Sequence, residues 1–397
     1  MNTTHLVSGS LVGGMLLVAG CCIGAGMLAL PILTGLAGFF PSFSILLLAW
    51  AFMTFTGLLL IEATGWFPRE IHLLSMTQES LGRPGRMIAW SSYLFLFYSL
   101  LVAYIAASGA IFSAIFESLF SIHLAPITAS VIFTFISGWI IYLGTRPVDL
   151  FNRYLMGGLI VTYLGMIALG LSKIDPKLLL QWNPKYLFSS LPVLVISFGF
   201  QNMIPSLTAY MKGDLQKVRL TIIGGSLMTL AVYLIWSFFI LGIVPYDNLL
   251  TSYEKGEEAT IALHNTLGNS AMTHLAQGFA FFAIATSFLA QGLTLAHFLS
   301  DGLKNKFHSG WMVLLALTPP LIFALSYPQI FFKALNFAGG ICAMILFGIL
   351  PVAMVWIGRY SKNIPSNYHV RGGKASLACS FCFSSFIIIC ELARIFS

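Results

Sequence analysis

The chain has 397 residues, of which 58% are hydrophobic and only 8% are charged, and its mean hydropathy is +0.90. Soluble domains carry about 25% charged residues, so this composition excludes a soluble protein and indicates an integral membrane protein. The formal net charge is +7, but the basic residues are scattered singly through short loops, which membrane topology explains and which argues against nucleic-acid binding.

Eleven segments are apolar and long enough to cross a membrane, since about twenty residues are needed to span about 30 Å of hydrocarbon. In chain order they are 8–34, 41–62, 87–117, 124–143, 151–172, 187–211, 219–243, 271–300, 311–326, 331–357 and 375–396. No soluble domain interrupts this series. We therefore predict a single polytopic, all-α membrane domain with eleven transmembrane helices.

The first and sixth predicted spans are each interrupted near the middle by small or polar residues. The first reads Gly20-Cys21-Cys22-Ile23-Gly24-Ala25-Gly26 and the sixth reads Ser197-Phe198-Gly199-Phe200-Gln201-Asn202. A helix that loses its hydrogen-bond ladder in hydrocarbon leaves backbone groups unsatisfied, so it persists only where protein, ligand or water supplies new partners. Two interruptions in corresponding places predict a central binding site.

The order of the spans predicts an internal repeat. Repeat one covers about 8–172, repeat two about 187–357, and an accessory helix about 375–396. Five spans per repeat force the second copy to enter the membrane in the opposite orientation, which gives an inverted repeat and a simple route to alternating access. The repeat rests on the positions of the interruptions and on Pro31 and Pro205, which follow them.

The distribution of basic residues predicts the orientation of the chain. Fourteen of the twenty Lys and Arg residues fall in the loops on one side of the predicted spans, among them Arg69, Lys304 and Lys306. Because cationic loops are retained in the cytoplasm, we predict a cytoplasmic N-terminus and an external C-terminus.

The chemistry of the interruptions indicates what they bind. Freed N–H groups at the start of a half-helix favour an anion, whereas freed carbonyls favour a cation. An α-amino acid zwitterion presents both charges, so we assign its carboxylate to the backbone of Gly24-Ala25-Gly26 and its ammonium to carbonyls around Phe198-Gly199-Phe200. The alternative interpretation is that the glycines of the first span serve only close helix packing.

Several motifs together resemble the hydroxy/aromatic amino acid permease family, within the amino acid/polyamine/organocation superfamily. These motifs are Gly24-Ala25-Gly26-Met27-Leu28-Ala29-Leu30-Pro31, Val148-Asp149-Leu150-Phe151-Asn152-Arg153, Ser197-Phe198-Gly199-Phe200 with Pro205-Ser206, Ala285-Thr286-Ser287-Phe288-Leu289, and Tyr368-His369-Val370-Arg371-Gly372-Gly373. The resemblance implies eleven spans with an inverted repeat, a bacterial inner-membrane location and proton-driven uptake of tyrosine or tryptophan.

The sequence departs from that family in two places. Such permeases commonly have His-Gly where this chain has Gln201 and Asn202, which can recognise a phenol hydroxyl or an indole N–H. Some proton-coupled relatives carry a lysine on the fifth span, but none occurs between Met156 and Leu171. The coupling ion is therefore left open between a proton and sodium.

A substrate with an aromatic ring needs an apolar lining. The aromatic residues predicted to supply it are Phe198, Phe200, Tyr98, Tyr104 and Phe337, with Gly339 and Gly340 leaving space for the ring. The chain contains 34 Phe, 14 Tyr and 8 Trp, so any site would be lined by some of them, and the sequence does not choose between tyrosine and tryptophan.

Four residues are candidates for ion coupling. By resemblance to sodium-coupled transporters of the superfamily, Thr286 and Ser287 are hydroxyl ligands for a possible Na⁺, and the alternative is that both bond back to their own helix. Glu62 and His297 are candidates for proton transfer, because ionisable groups inside a membrane are costly and are usually functional. The alternatives are an interfacial carboxylate and a structural histidine.

A secondary transporter explains these features best. The sequence has no nucleotide-binding loop, no HExxH motif, and no continuous polar pore, which argues against an ATP-driven pump, an intramembrane enzyme and a channel. The hypothesis is a proton symporter that imports tyrosine, tryptophan or both, without a cofactor. The alternative is a sodium-coupled or broader neutral amino acid symporter.

Overall fold

The computed structural model describes residues 10–67, 72–120, 123–268, 270–303, 309–327, 329–366 and 368–396. The α-helices of this part are α1 (Leu11–Cys22), α2 (Gly26–Gly35), α3 (Phe39–Thr64), α4 (Leu73–Phe120), α5 (Pro126–Tyr142), α6 (Thr145–Gly170), α7 (Leu191–Ser197), α8 (Ile204–Tyr210), α9 (Leu215–Leu241), α10 (Tyr246–Lys255), α11 (Ala259–Leu267), α12 (Ala271–Gly302), α13 (Ser309–Ser326), α14 (Phe331–Phe337), α15 (Leu350–Tyr360) and α16 (Gly373–Phe396). A π-helix, Ala338–Ile349, joins α14 to α15. Within the described ranges the fold is entirely helical, as predicted.

Nine helical segments of the described chain are long and apolar enough to cross a membrane, and the bent pair α1–α2 makes ten. Each predicted span corresponds to one of these segments except the fourth, which corresponds to α5. That helix has 17 residues and is about 25 Å long, shorter than the hydrocarbon thickness. The multi-pass architecture is confirmed, whereas the count of eleven stays a prediction.

The first predicted interruption is a sharp bend. Helix α1 ends at Cys22, Ile23 is extended (φ −75°, ψ 99°), and α2 begins at Gly26 with its axis turned by 62°. The second interruption lies between α7 and α8, where Phe198 leaves helical geometry (φ −99°, ψ 23°) and Gln201–Met203 forms one 3₁₀ turn. Both helices are therefore interrupted where the sequence places the interruptions.

Helix α9 supplies side-chain partners for both interruptions. The hydroxyl oxygen of Tyr233 lies 2.6 Å from the carbonyl oxygen of Cys22 and 2.8 Å from that of Ser197, so one proton is shared between the ends of α1 and α7. The indole Nε1 of Trp236 donates to the carbonyl of Met27 at 2.9 Å. Both aromatic side chains are fully buried. Tyr233 satisfies the last carbonyls of two broken helices, whereas Trp236 satisfies the carbonyl of Met27, whose helical partner would be Pro31, a residue without an N–H.

The π-helix packs closely against its neighbours. A Cβ added at Gly339 would lie 1.8 Å from the carbonyl oxygen of Pro192, and one added at Gly340 would lie 2.9 Å from Cγ of Glu391. The two glycines therefore allow α7 and α16 to approach the π-helix. They do not leave free space for a substrate ring, which differs from the expectation.

The connection between α9 and α12 folds into two short helices, α10 and α11, that pack against each other and against α2. Glu258 precedes α11, is 1% exposed, and accepts a hydrogen bond from the Thr260 N–H at 2.6 Å. Burial of this carboxyl raises its pKa to about 7. This connection thus buries one of its acidic residues.

The raised pKa of Glu258 predicts a pH-dependent stability. An unfolded glutamate ionises near pH 4.5, whereas the folded one stays protonated up to about pH 7, so this group's stabilisation is complete below pH 4.5 and is lost as the pH rises to 7. The shift corresponds to on the order of 3 kcal/mol. We expect Glu258→Gln to raise the apparent melting temperature in detergent at pH 8 and to have little effect at pH 4.5.

A matched control is Asp247→Asn, which neutralises an exposed carboxylate on the same connection. Its melting temperature should follow that of the wild type at every pH. Equal pH profiles for wild type and Glu258→Gln would contradict the role of Glu258.

Three of the basic residues used to predict the orientation, Arg69, Lys304 and Lys306, lie outside the described residues. The orientation and the boundaries of the two repeats remain predictions.

Candidate substrate site

A cavity of about 150 Å³ lies between the two interruptions. It is lined by Gly20, Cys21, Cys22, Ile23, Gly24, Ala25, Gly26, Leu96, Phe97, Leu100, Tyr104, Asn152, Met156, Ile196, Ser197, Gly199, Asn202, Thr286, Ser287, Ala290, Gln291, Leu335 and Phe347. At about 30 Å³ per molecule in the liquid, this volume corresponds to roughly five water molecules. It is smaller than typical small-molecule sites, which measure about 300–1,000 Å³.

The cavity brings together residues that are far apart in the sequence. The predicted site residues that line it are Gly24, Ala25, Gly26, Tyr104, Gly199, Asn202, Thr286 and Ser287. They come from both interruptions, from α4 and from α12. The two broken helices, α4 and α12 therefore contribute to one site.

The backbone of the first interruption has unused hydrogen-bonding groups. The N–H of Ala25 donates to Oγ of Ser287 at 3.0 Å. The N–H of Gly24 and the carbonyl of Ile23 make no hydrogen bond with the described residues. Among the described residues, the carbonyl of Gly199 accepts a hydrogen bond only from the thiol of Cys21, at 3.9 Å. The cavity thus offers a main-chain donor beside the positive end of α2, together with main-chain acceptors.

The glycines at the start of α2 permit close contact with other helices. A Cβ added at Gly24 would lie 2.4 Å from Oγ of Ser287, and one added at Gly26 would lie 3.0 Å from Oγ of Ser197. Any side chain at Gly24 would therefore displace Ser287 or α2. Close packing and an accessible backbone occur at the same glycines. The two interpretations made from the sequence, a backbone binding site and close helix packing, are therefore compatible.

Three predicted residues of the second interruption point away from the cavity. Phe198 is fully buried and packs edge-to-face on Tyr233, with ring centroids 5.2 Å apart. The ring of Phe200 packs close to Gly57 of α3. Nε2 of Gln201 donates to the Met53 carbonyl at 3.1 Å, and its Oε1 is buried without a partner among the described residues.

The remaining predicted aromatic residues also lie outside the cavity. Tyr98 donates its hydroxyl to the carbonyl of Leu315 at 3.0 Å, and Phe337 packs edge-to-face on Phe95, with centroids 6.4 Å apart. Helical geometry explains the difference on α4, because positions 97, 100 and 104 share one face and position 98 lies about 100° away from position 97. The apolar lining comes instead from Leu96, Phe97, Leu100 and Phe347.

The ion-coupling candidates have different surroundings. Thr286 donates its hydroxyl to the carbonyl of Phe282 on its own helix at 2.9 Å, whereas Ser287 reaches across to α2. Glu62 is completely buried in an ion pair with Arg359 and does not line the cavity. His297 is exposed on α12 and does not line the cavity.

Two polar residues of the cavity were not predicted. Asn152 of α6 and Gln291 of α12 line it, and Oδ1 of Asn152 is buried without a hydrogen-bond partner among the described residues. An unpaired buried acceptor costs about 1–3 kcal/mol, which a ligand donor can recover. Both are uncharged polar side chains within predicted spans, which was the signal available in the sequence, and Asn152 also lies within a family motif.

Comparison with known proteins gives consistent matches over nearly the whole chain. The tyrosine-specific transport system 1 of Haemophilus influenzae is 33% identical over 378 residues, which cover 92% of each chain. The tryptophan-specific transport protein of the same organism is 30% identical and covers 97% of this chain and 96% of that one. The crystal structure of MhsT in complex with L-phenylalanine shares the fold, with a TM-score of 0.64, 12% identity, and coverage of 97% of this chain and 98% of that one.

The family assignment follows from a further match. The sequence profile of the tryptophan/tyrosine permease family matches residues 7–391. Together with the helical membrane fold and the cavity between two interrupted helices, this match gives the conclusion that the chain belongs to the tryptophan/tyrosine permease family.

Proposed function

We propose that this protein imports tyrosine, tryptophan or both as a secondary active transporter with alternating access. The observation that carries the proposal is the cavity enclosed by both helix interruptions, which combines free main-chain groups with an apolar wall. The family membership and the tyrosine and tryptophan specificities of the relatives support the aromatic substrate class.

The geometry favours one orientation of the amino acid. The carboxylate lies at the free N–H of Gly24, where the positive end of α2 stabilises negative charge. The ammonium lies at main-chain carbonyls of Ile23 and Gly199. The ring lies against the apolar side formed by α4 and Phe347, within reach of the amides of Asn152 and Asn202.

The coupling ion is proposed to be a proton, with the N-terminus in the cytoplasm and the protein in the bacterial inner membrane. The resemblance to proton-driven permeases and the positive-inside distribution support this assignment. The alternative is sodium, held by oxygen atoms of Ser287 and the first interruption, for which the hydroxyl beside Ala25 is the supporting observation. The hydroxyl of Thr286 bonds back to its own helix, which favours the proton.

Uptake into proteoliposomes tests both the substrate and the ion. We expect an imposed inward proton gradient to drive uptake of labelled tyrosine or tryptophan, a protonophore to abolish it, and replacement of sodium by choline to leave it unchanged. Competition by each of the other common amino acids should be confined to aromatic ones. Uptake that requires sodium and persists with a protonophore would overturn proton coupling, and effective competition by small aliphatic amino acids would overturn the aromatic specificity.

A further inference from the structure

A second and larger cavity lies between α14 and the end of α16, and it shares no lining residue with the central site. Its volume is about 880 Å³, and charged side chains of both signs line it. The acidic ones are Glu254 and Glu391, and the basic ones are Lys333 and Arg394. Glu391 is 3% exposed and is paired with Arg394 at 2.6 Å, whereas Glu254 and Lys333 are exposed.

An unpaired polar side chain also lines this cavity. Asn336 of α14 is 1% exposed, and its Oδ1 is buried without a hydrogen-bond partner among the described residues. Leaving such an acceptor unsatisfied costs about 1–3 kcal/mol. The cavity therefore favours a ligand that carries a hydrogen-bond donor, and the mixed charges of its wall favour one that carries both signs.

An apolar groove of about 140 Å³ adjoins the charged cavity. The two share Glu391 and Arg394, and the rest of the groove is formed by Phe188, Leu191, Pro192, Phe386, Ile387 and Cys390. Phe188 and Phe386 are 59% and 46% exposed, and their rings meet edge-to-face with centroids 6.3 Å apart. Only 28% of the apolar window of α16 is buried, so most of this helix faces the surroundings of the bundle.

We propose that the charged cavity and the adjoining groove bind one phospholipid with a zwitterionic, primary-amine headgroup. Its phosphate lies at Lys333 and Arg394, and its ammonium donates to Asn336 Oδ1 and lies near Glu254. One acyl chain follows the groove between α7 and α16. A balanced set of two acidic and two basic residues fits a zwitterion better than an anionic lipid, because an anionic headgroup brings no ammonium and would leave the site with one excess negative charge.

This proposal rests on the membrane location of the protein and is independent of the transported substrate. The lipid would tie α16 to α7, the first half of the second interrupted helix. Uptake and lipid binding are therefore measured separately, and either can fail without the other.

Native mass spectrometry of the purified full-length protein tests the site. The protein in detergent is titrated with phosphatidylethanolamine, with phosphatidylglycerol and with soluble glycerophosphoethanolamine. We expect one phosphatidylethanolamine to be retained in preference to phosphatidylglycerol, and glycerophosphoethanolamine to bind at least about tenfold more weakly because it lacks the acyl chains. Lys333→Ala should weaken retention by about tenfold, as expected for loss of a charge-assisted hydrogen bond.

One further variant separates the headgroup from the acyl chain, and a second serves as the control. Phe188→Ser removes an exposed ring from the groove and should weaken phosphatidylethanolamine binding while leaving that of glycerophosphoethanolamine unchanged. Lys255→Ala is the matched control, since this lysine ends α10 beside the charged cavity but lines neither cavity.

Three results would overturn the proposal. They are equal retention of the two phospholipids, wild-type affinity in both Lys333→Ala and Phe188→Ser, and equal binding of glycerophosphoethanolamine and the intact lipid. The last result would indicate a site for a free zwitterion.

Discussion

Gly24→Leu is expected to reduce uptake of labelled tyrosine and tryptophan by about 100-fold or more, while the protein still reaches the membrane, because small displacements of binding groups can cost that much in rate. The first atom of the new side chain would lie 2.4 Å from Oγ of Ser287, so α2 or α12 must move. The rest of the leucine would occupy the cavity beside the free N–H of Gly24. Initial uptake rates in proteoliposomes, normalised to the amount of inserted protein, measure the effect.

Gly157→Leu is the matched control. It makes the same change at an exposed glycine of α6, where an added Cβ meets no atom within 4 Å. Its uptake should remain close to that of the wild type. Gly199→Leu should resemble Gly24→Leu, since its Cβ would lie 2.9 Å from the carbonyl oxygen of Ile196. High-affinity uptake in both cavity variants would refute the proposed substrate site.

Glu62→Gln is expected to destabilise the protein by about 3–5 kcal/mol, the usual cost of removing one partner from a buried ion pair. The carboxylate of Glu62 is completely buried and accepts from Nε of Arg359 at 2.6 Å and from the Val370 N–H at 2.8 Å. Arg359 also donates to the carbonyl of Val370 at 2.9 Å, so the cluster joins α3, α15 and the connection to α16. The apparent melting temperature in detergent measures the loss.

Asp149→Asn provides the comparison for this ion pair. Asp149 and Arg153 form a pair of 2.8 Å on the surface of α6, with both side chains more than half exposed. Exposed pairs contribute about 0–1 kcal/mol, so the melting temperature should barely change. If Glu62→Gln melted like Asp149→Asn but lost proton-driven uptake, Glu62 would serve ion coupling, the role considered for it from the sequence.

The local sequence predicted the interruptions because their cause is local. Clustered glycines and polar residues cannot continue an apolar helix at low cost, and Gly24 and Gly199 both lie in the observed interruptions. The same reasoning located the segments that became helices, since apolar length is read directly from the sequence. It also placed Ser287 at the site, although through resemblance to a family.

The sequence could not predict which side chains face the cavity. Gln201 was placed in the site, but it turns toward Met53 of α3. Tyr233 and Trp236 received no role, although Tyr233 binds a carbonyl freed by an interruption and Trp236 binds the Met27 carbonyl that Pro31 leaves without a helical partner. These outcomes depend on how α3 and α9 pack around the broken helices, and the hydrogen-bonding partners are about 150 to 210 residues apart in the chain.

The sequence by itself determined the membrane class, the helical fold and the positions of the two interruptions, because hydrophobic length and backbone propensity are local properties. Only the tertiary structure decided that Glu62 is paired with Arg359, that Asn152 faces the substrate cavity, and that a charged cavity adjoins an apolar groove at α16. Each of these depends on the relative rotation of packed helices. Successive side chains of an α-helix point about 100° apart, so turning a helix about its axis by that angle replaces a cavity-facing side chain with its neighbour. The packing of each helix against the others fixes this rotation.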